Sequence, residues 1–325
     1  MKTDGSNHEA PDGRPLADAA ARLRFFLTHE ALGVLGGAHD ALSARLVQEA
    51  GFDGVWASSF GISLASRCVP DADLLSLTEC LEVTRRMVDA VSVPVLADCN
   101  AGFGNAINVM YMTREYEKAG VGGICIEDNC YPKRCSLYDR GRRELVPAAE
   151  MASKIEAAKS AQRGSGFVVI ARVEALIAGH GLEAALERAE AYAQAGADAL
   201  VVHSRAFAQI QEFLARWRGD CPLVVIPTLF DDVPLERLRS AGFHLAIFAN
   251  QAVRAAVQAM QQTLATIRRS GVGSSVAASI APLAEVYRLV DLPGLEAAEG
   301  RFLLPAGAAP GEAAAPAHVD VKDRA

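Results

Sequence analysis

The sequence predicts an α/β fold, a (β/α)8 TIM barrel, on three observations. Eight short runs rich in β-branched residues recur along the chain, each apolar almost throughout, as a parallel strand covered on both faces requires. Amphipathic stretches rich in Ala, Glu and Arg separate most of them. Several of those stretches close on Ala-Gly just before the next run, where a left-handed glycine ends a helix and starts a tight turn.

In order, LGVLGG near residue 32 supplies the first strand, and DALSARLVQEAG behind it has helical spacing. GVWASS near 54 and VPVLAD near 93 supply the second and third. No GxGxxG phosphate loop follows the first strand, which disfavours an open doubly wound sheet. GGICIE near 122 and FVVIAR near 167 are the fourth and fifth, and GLEAALERAEAYAQAG then reads as a helix. ALVVHS near 199, LVVIPT near 222 and LAIFAN near 245 complete the eight. The endings EAG, KAG, QAG and SAG mark four helix-to-strand turns. Residues 18–303 are expected to form this barrel, between segments 1–17 and 304–325 that show no period and are expected to be mobile.

With 325 residues, 51% of them hydrophobic, the chain has ample material for a large core. No apolar stretch approaches the ~20 residues that span a bilayer, and the N-terminus lacks the apolar core of a secretion signal. The expectation is a cytoplasmic protein with no membrane partner. Seven cysteines with no CxxC pair read as thiols in a reducing compartment. A net charge of -7 without a Lys/Arg stripe argues against a nucleic-acid partner. An anionic ligand must then be held by a few local cations or by a metal.

Reacting groups of such a barrel sit at the carboxyl ends of its strands. Polar residues cluster there: Ser58 and Ser59, Asp98 and Asn100, Glu127 and Asp128, Arg172 and Glu174, His203 and Ser204, Thr228, and Asn250. Asp98 and Glu127 are hard oxygen donors suited to Mg2+, or Mn2+, which keeps several waters and meets one or two carboxylates directly. Either acid alone could cap a helix or pair with an arginine. Arg172 offers bidentate donors to a carboxylate or phosphoryl group, or is a buried partner of Glu174 or Glu127. His203 is a candidate donor to the same anion, whereas His180, in AGHGLE, has ordinary loop composition.

These segments resemble the phosphoenolpyruvate mutase and isocitrate lyase superfamily over about residues 20 to 300. DCNAGFGNAINV resembles its metal loop, D-x-D-x-G-[YF]-G-N, and IEDNCYPKRCS its mobile gating loop. ARVEALIAGHGLEAALERAEAYAQAGADALVVHSR is similar to phosphoenolpyruvate mutases and phosphonopyruvate hydrolases, where the lyases carry ARTDA. The resemblance implies a barrel with a swapped eighth helix in a homodimer or homotetramer, and a Mg2+-bound 2-oxo or enol acid at its mouth. It implies Asp98 as metal ligand, Glu127 and Asn100 as holders of metal waters, and Asp71 as organiser of the metal shell. Trp56, Ser58 and Ser59 match the substrate-binding segment, although SSFGISLASRC is one residue longer than usual. Asn250, at the end of the eighth strand, is placed with the substrate. Arg172 and His203 correspond to phosphoryl ligands, and Lys133 to the lysine that closes over the substrate.

The departures fall at the chemistry. Mutases read EDK…PKxNS, with an asparagine touching the transferred group; this chain reads EDN…PKRCS, with Asn129 and Cys135 in place of that lysine and asparagine. Lyases read KRCGH, so Cys135 stands where they have a catalytic thiol, while Ser136 replaces the glycine and the histidine is missing. The expected activity is a Mg2+-dependent mutase interconverting an enolpyruvate ester and a 3-substituted pyruvate, for phosphorus or a softer analogue such as arsenic, as the entry step of carbon-heteroatom natural product synthesis. Cys99 and Cys135 are expected to flank the substrate in the softer case. The competing outcomes are phosphonopyruvate hydrolysis and carbon-carbon cleavage of the methylisocitrate or dimethylmalate type.

Overall fold

A computed structural model describes residues 18–29, 31–136 and 143–303. The expected mobile segments 1–17 and 304–325 lie outside the described residues. The strands are β1 (Gly33–Ala38), β2 (Gly54–Ala57), β3 (Val95–Asp98), β4 (Gly123–Glu127), β5 (Val168–Val173), β6 (Ala199–Val202), β7 (Leu223–Val225) and β8 (Phe243–Phe248), each overlapping a run read from the sequence, with β1 and β5 running one residue past theirs and β8 starting two residues before its own. All neighbours pair in parallel and β8 returns to β1, closing the barrel. Helix α1 (Ala19–Thr28) precedes it. Between strands lie α2 (Ala41–Glu49), α3 (Ser59–Arg67) with α4 (Leu77–Ala90), α5 (Ala106–Lys118), α6 (Ala148–Ala161), α7 (Leu182–Gln194), α8 (Phe207–Arg216) and α9 (Leu235–Ser240).

Gly51, Gly120, Gly196 and Gly242 all have positive φ, between 81° and 92°, after α2, α5, α7 and α9. Those are the Ala-Gly endings, and the backbone there is the left-handed one that glycine adopts without a Cβ clash.

Strand parity sorts the core. Leu35, Trp56, Leu96, Cys125, Val168, Ile170, Val201, Val224, Leu245 and Ile247 fill the barrel interior, and the alternate residues, such as Ala97, Ile124, Ile126, Val169, Ala171 and Val202, pack outward under the helices. Leu23, Phe26 and Leu27 of α1 join the interior cluster and plug its amino-terminal end, each contributing about 1.5–3 kcal/mol by burial. A Cβ on Gly33 would lie 2.6 Å from the Phe26 ring, so glycine there lets the plug seat.

The chain divides into a unit Met1–Met260, which holds the barrel, and a unit Gln261–Ala325. Helix α10 (Gln251–Ser270) crosses the division, and the second unit continues with a 3-10 segment Gly273–Ser279, α11 (Leu283–Leu289) and α12 (Leu292–Phe302). Among the described residues no helix is long and apolar enough to cross a membrane.

Candidate active site

The parity that fills the interior also decides which polar residues reach the carboxyl mouth. Continuing inward along β3, Leu96 leads to Asp98; along β4, Cys125 leads to Glu127; along β5, Ile170 leads to Arg172; along β6, Val201 leads to His203. Glu127 and Arg172 are register partners across β4 and β5, so their side chains emerge side by side. Asp128 takes the opposite direction. Buried under α7, it accepts from Tyr192 Oη at 2.7 Å and from Arg188 at 2.9 Å, and it receives the Glu174 N–H at 2.9 Å. Ser204 likewise turns away and bonds Gln209 and the Ala206 carbonyl.

At the mouth, a cavity of about 50 Å³, room for a few waters or a small acid, is lined by Trp56, Ser58, Asp71, Asp98, Glu127, Lys133, Cys135, Ser136, Arg172, His203 and Asn250. Phe60, Ile226, Thr228 and Ala249 complete its wall. Two residues expected at the site, Ser59 on the substrate and Asn100 on the metal waters, are not among the lining. Ser59 opens α3 and lies behind the mouth, donating to Asp98 Oδ2 at 2.8 Å and receiving Lys133 Nζ at 3.3 Å. Asn100 is buried with φ 52°, and its N–H reaches Asp98 Oδ1 at 3.3 Å. Cys99 also falls outside the lining, because parity sends it into the outward core with Cys80 and Tyr116, where burial pushes its thiol well up. Of the two thiols expected beside the substrate, Cys135 alone lines the cavity.

The segment 129–136 walls one side. Lys133 is buried, its ammonium 2.9 Å from Asp71 Oδ2 and 3.6 Å from Glu127 Oε1, and its backbone N–H donates to Asp73 at 2.6 Å. Burial opposes the lysine charge, but Asp71, Glu127 and Asp98 outweigh it and hold the ammonium well above its ordinary pKa. Burial pushes the Asp73 carboxyl up to about 6, against the Lys133 hydrogen bond.

Arg172 and His203 form a second cluster around Glu174. Arg172 donates through Nε to Glu174 Oε1 at 2.5 Å and has Glu127 at 3.4 Å, while His203 Nδ1 lies 2.7 Å from both Glu174 Oε1 and an Arg172 nitrogen. Both readings of Arg172 therefore apply at once: it is paired with both glutamates and it faces the cavity. Burial, then the Arg172 charge, lowers the His203 pKa, so the imidazole is neutral at pH 7 and offers a hydrogen bond in place of a charge. Glu174 is pulled well below the carboxylate range; burial opposes this, and Arg172, His203 and Arg143 overcome it.

Sequence reasoning missed Arg143 and Asp73. Arg143 donates to Glu174 at 2.9 Å and to Asn129 at 3.0 Å, contacts that no local motif announces. An Asp at 73 beside the singled-out Asp71 was the only signal for the other.

The donor set fits a hard divalent cation. Asp71, Asp73, Asp98, Glu127 and Glu174 surround the mouth against Lys133, Arg143 and Arg172, an excess of two negative charges before any anionic ligand arrives. Among the described residues Asp98 makes no ion pair and the buried Asn100 Oδ1 has no hydrogen-bond partner. No group of three acidic, His or Cys side chains closes into a cage among the described residues, so a cation would be met by one or two carboxylates and water.

Comparison with known proteins agrees with this geometry. The family described as Phosphoenolpyruvate phosphomutase matches residues 23–268. The chain belongs to the phosphoenolpyruvate phosphomutase family. It is 39% identical over 284 residues to the phosphoenolpyruvate phosphomutase of Tetrahymena pyriformis, covering 87% of this chain and 94% of that protein. The crystal structure of phosphoenolpyruvate phosphomutase from Streptomyces platensis subsp. rosaceus superposes with a TM-score of 0.86 at 45% identity, covering 88% of this chain and all of that one. A crystal structure of phosphonopyruvate hydrolase in complex with oxalate and Mg++ superposes with a TM-score of 0.83 at 39% identity, covering 89% of this chain and all of that one. Membership makes the chain an enzyme of the isomerase class, an intramolecular phosphoryl transferase.

Proposed function

We propose that the protein is a Mg2+-dependent mutase that interconverts phosphoenolpyruvate and phosphonopyruvate, the step that sets a carbon-phosphorus bond for later products. The observation that carries the reading is one cavity whose wall holds three carboxylates, Asp98, Glu127 and Asp71, with Lys133 between Asp71 and Glu127, and a cationic side formed by Arg172 with His203.

Asp98, with Glu127 and Asn100 holding water, would seat the metal. When bound, Mg2+ supplies positive charge against an enolate oxygen, and Mn2+ meets the same ligands. Trp56 floors the pocket, and α3, capped by Ser58, puts the positive end of its dipole at the wall where the substrate carboxylate would lie. Asn250 closes the far side. In the reaction the oxygen-phosphorus bond breaks and the carbon-phosphorus bond forms at the third carbon. A loosely bonded phosphoryl group of this kind requires positioning and charge stabilisation more than a nucleophile. Arg172 and Lys133 supply fixed charge, and neutral His203 supplies a directed hydrogen bond. Ser136 and Cys135 wall the phosphoryl side and exclude water from it.

A second reading is hydrolysis, favoured by the similarity to phosphonopyruvate hydrolase, and it differs only in letting water capture the phosphoryl group. The softer arsenic analogue now rests on Cys135 alone. Incubation of phosphonopyruvate with the protein and Mg2+, followed by 31P NMR, separates these outcomes. A phosphoenolpyruvate signal supports the mutase, inorganic phosphate with pyruvate supports the hydrolase, and an unchanged spectrum sinks both.

The reading includes a homodimer or homotetramer with the eighth helix exchanged, in the cytoplasm. Leu264, Leu283 and Phe302, each at least 66% exposed in the second unit, support it as apolar surface for another copy to cover. Light scattering of the full chain tests it, and a monomer at micromolar concentration rules it out.

A further inference from the structure

We propose that Glu174 is a positioning residue for phosphoryl transfer, the carboxylate through which the segment walling the cavity sets the geometry of Arg172 and His203. The inference rests on the reading above and adds to it a residue and a route. Glu174 is fully buried, two residues beyond Arg172 and on the same side of β5. Its two oxygens serve different parts of the molecule. Oε1 meets the strand-end groups, accepting Arg172 Nε at 2.5 Å and lying 2.7 Å from His203 Nδ1. Oε2 meets the wall, accepting Arg143 at 2.9 Å and the Ser136 hydroxyl.

Arg143 carries the connection outward. Its other terminal nitrogen donates to Asn129 Oδ1 and to the Arg134 carbonyl, each at 3.0 Å, so one guanidinium spans the segment on both sides of Lys133. Arg143 does not line the cavity and makes no hydrogen bond to His203 among the described residues.

The physical consequence follows from the torsion. The last torsion of a glutamate is broad and roughly two-fold, so a carboxylate held only through Oε1 rocks about it. Donors on Oε2 fix the plane, and the plane fixes where Arg172 Nε and His203 Nδ1 come to rest. Phosphoryl ligands displaced by about 1 Å lose on the order of 100-fold in rate. The donors that the wall brings to Oε2 therefore hold Arg172 and His203 in place on the cationic side of the cavity.

The test uses R143Q, E174Q and the double variant in the full chain with Mg2+ and phosphonopyruvate. Each single change is expected to lower kcat about tenfold or more while KM stays within about threefold, and the double variant to be no slower than E174Q, because both act along one route. A second readout needs no turnover: the ring 15N signals of His203 in histidine-labelled protein are expected to move in R143Q. Ser136→Ala, which removes a neutral donor from the same oxygen, moves them in the same direction and serves if R143Q does not fold. Losses that multiply in the double variant, or His203 signals unmoved in a folded R143Q or S136A, overturn the proposal. If the wild type does not turn over phosphonopyruvate, the mutase reading fails while the His203 signals still decide the coupling.

Discussion

Lys133 Nζ lies 2.9 Å from Asp71 Oδ2 with both side chains buried, and the same ammonium has Glu127 at 3.6 Å. One cation thus holds together two carboxylates of the proposed metal side while presenting its charge to the cavity. Lys133→Met keeps most of the stem and removes the charge. A sealed buried pair broken in this way costs about 3–5 kcal/mol, but here the cavity lets water reach Asp71 and Glu127, so the stability loss is expected below that range. Activity suffers more. We expect kcat/KM to fall by about 100-fold or more, against a drop in Tm of only a few degrees, measured by steady-state kinetics and thermal unfolding.

Of the carboxylates that line the cavity, Asp98 is the one that lacks an ion pair among the described residues, and Asn at this position keeps an acceptor for Ser59 while removing the charge. Asp98→Asn is expected to abolish Mg2+ binding by calorimetry and turnover by 31P NMR. Metal-free stability is expected to hold or rise, since the mouth carries an excess of acid. Chelator-treated wild type should regain activity with Mg2+ or Mn2+. Unchanged product formation by D98N would end the metal-enolate reading.

Asp73 receives the Lys133 backbone N–H at 2.6 Å, and its carboxyl is raised from 3.8 to about 6 by burial. A folded pKa above the unfolded one means that the folded state binds more protons between those values. The contribution of this group to stability is therefore complete below about pH 4 and is lost as pH rises through about 6. An amide pays no such cost and still accepts through Oδ1. Asp73→Asn is expected to be more stable than wild type at pH 8 and to lose that advantage by pH 5, as read from denaturant midpoints at the two values. His203 acts with the opposite sign, since its lowered pKa makes stability fall as pH drops below about 6.5, and it is common to both proteins and cancels in the comparison.

The eight strands were legible because each is buried on both faces, which writes it as an apolar run, and because glycine is the residue that ends a helix in the left-handed conformation. The mouth was legible as a set of polar residues at strand ends. Which member of each adjacent pair enters it was available from parity alone: Glu127 follows Cys125 inward, and Asp128 turns outward to Tyr192 and Arg188. The Arg143 contacts were not available. They join residues 14 and 31 positions apart, through a side chain whose destination depends on how segment 129–136 lies against β5. Helices α11 and α12 were also unread, because they contain no buried residue and so carry no inward stripe.

Cys135 lines the cavity on the side of Ser136, Arg172 and His203, where the mutase pattern has an asparagine. An asparagine amide donates a hydrogen bond to a phosphoryl oxygen; a thiol is a weak donor and a polarisable neighbour, and it is also an acid when a carbanion needs a proton. Cys135→Asn separates these roles. If phosphorus is the native element, the new donor strengthens transition-state contacts and phosphoenolpyruvate–phosphonopyruvate interconversion holds or rises by a few-fold. Where the thiol serves a softer group, the same variant gains phosphorus turnover and loses activity on the arsenic analogue. A thiol acting as general acid would show as a loss of carbon-carbon cleavage on methylisocitrate or dimethylmalate, with little effect on the phosphonate. Our reading is the first of these; a hundredfold fall in phosphonopyruvate turnover with the fold intact would mean that the sulfur itself takes part in the phosphoryl step.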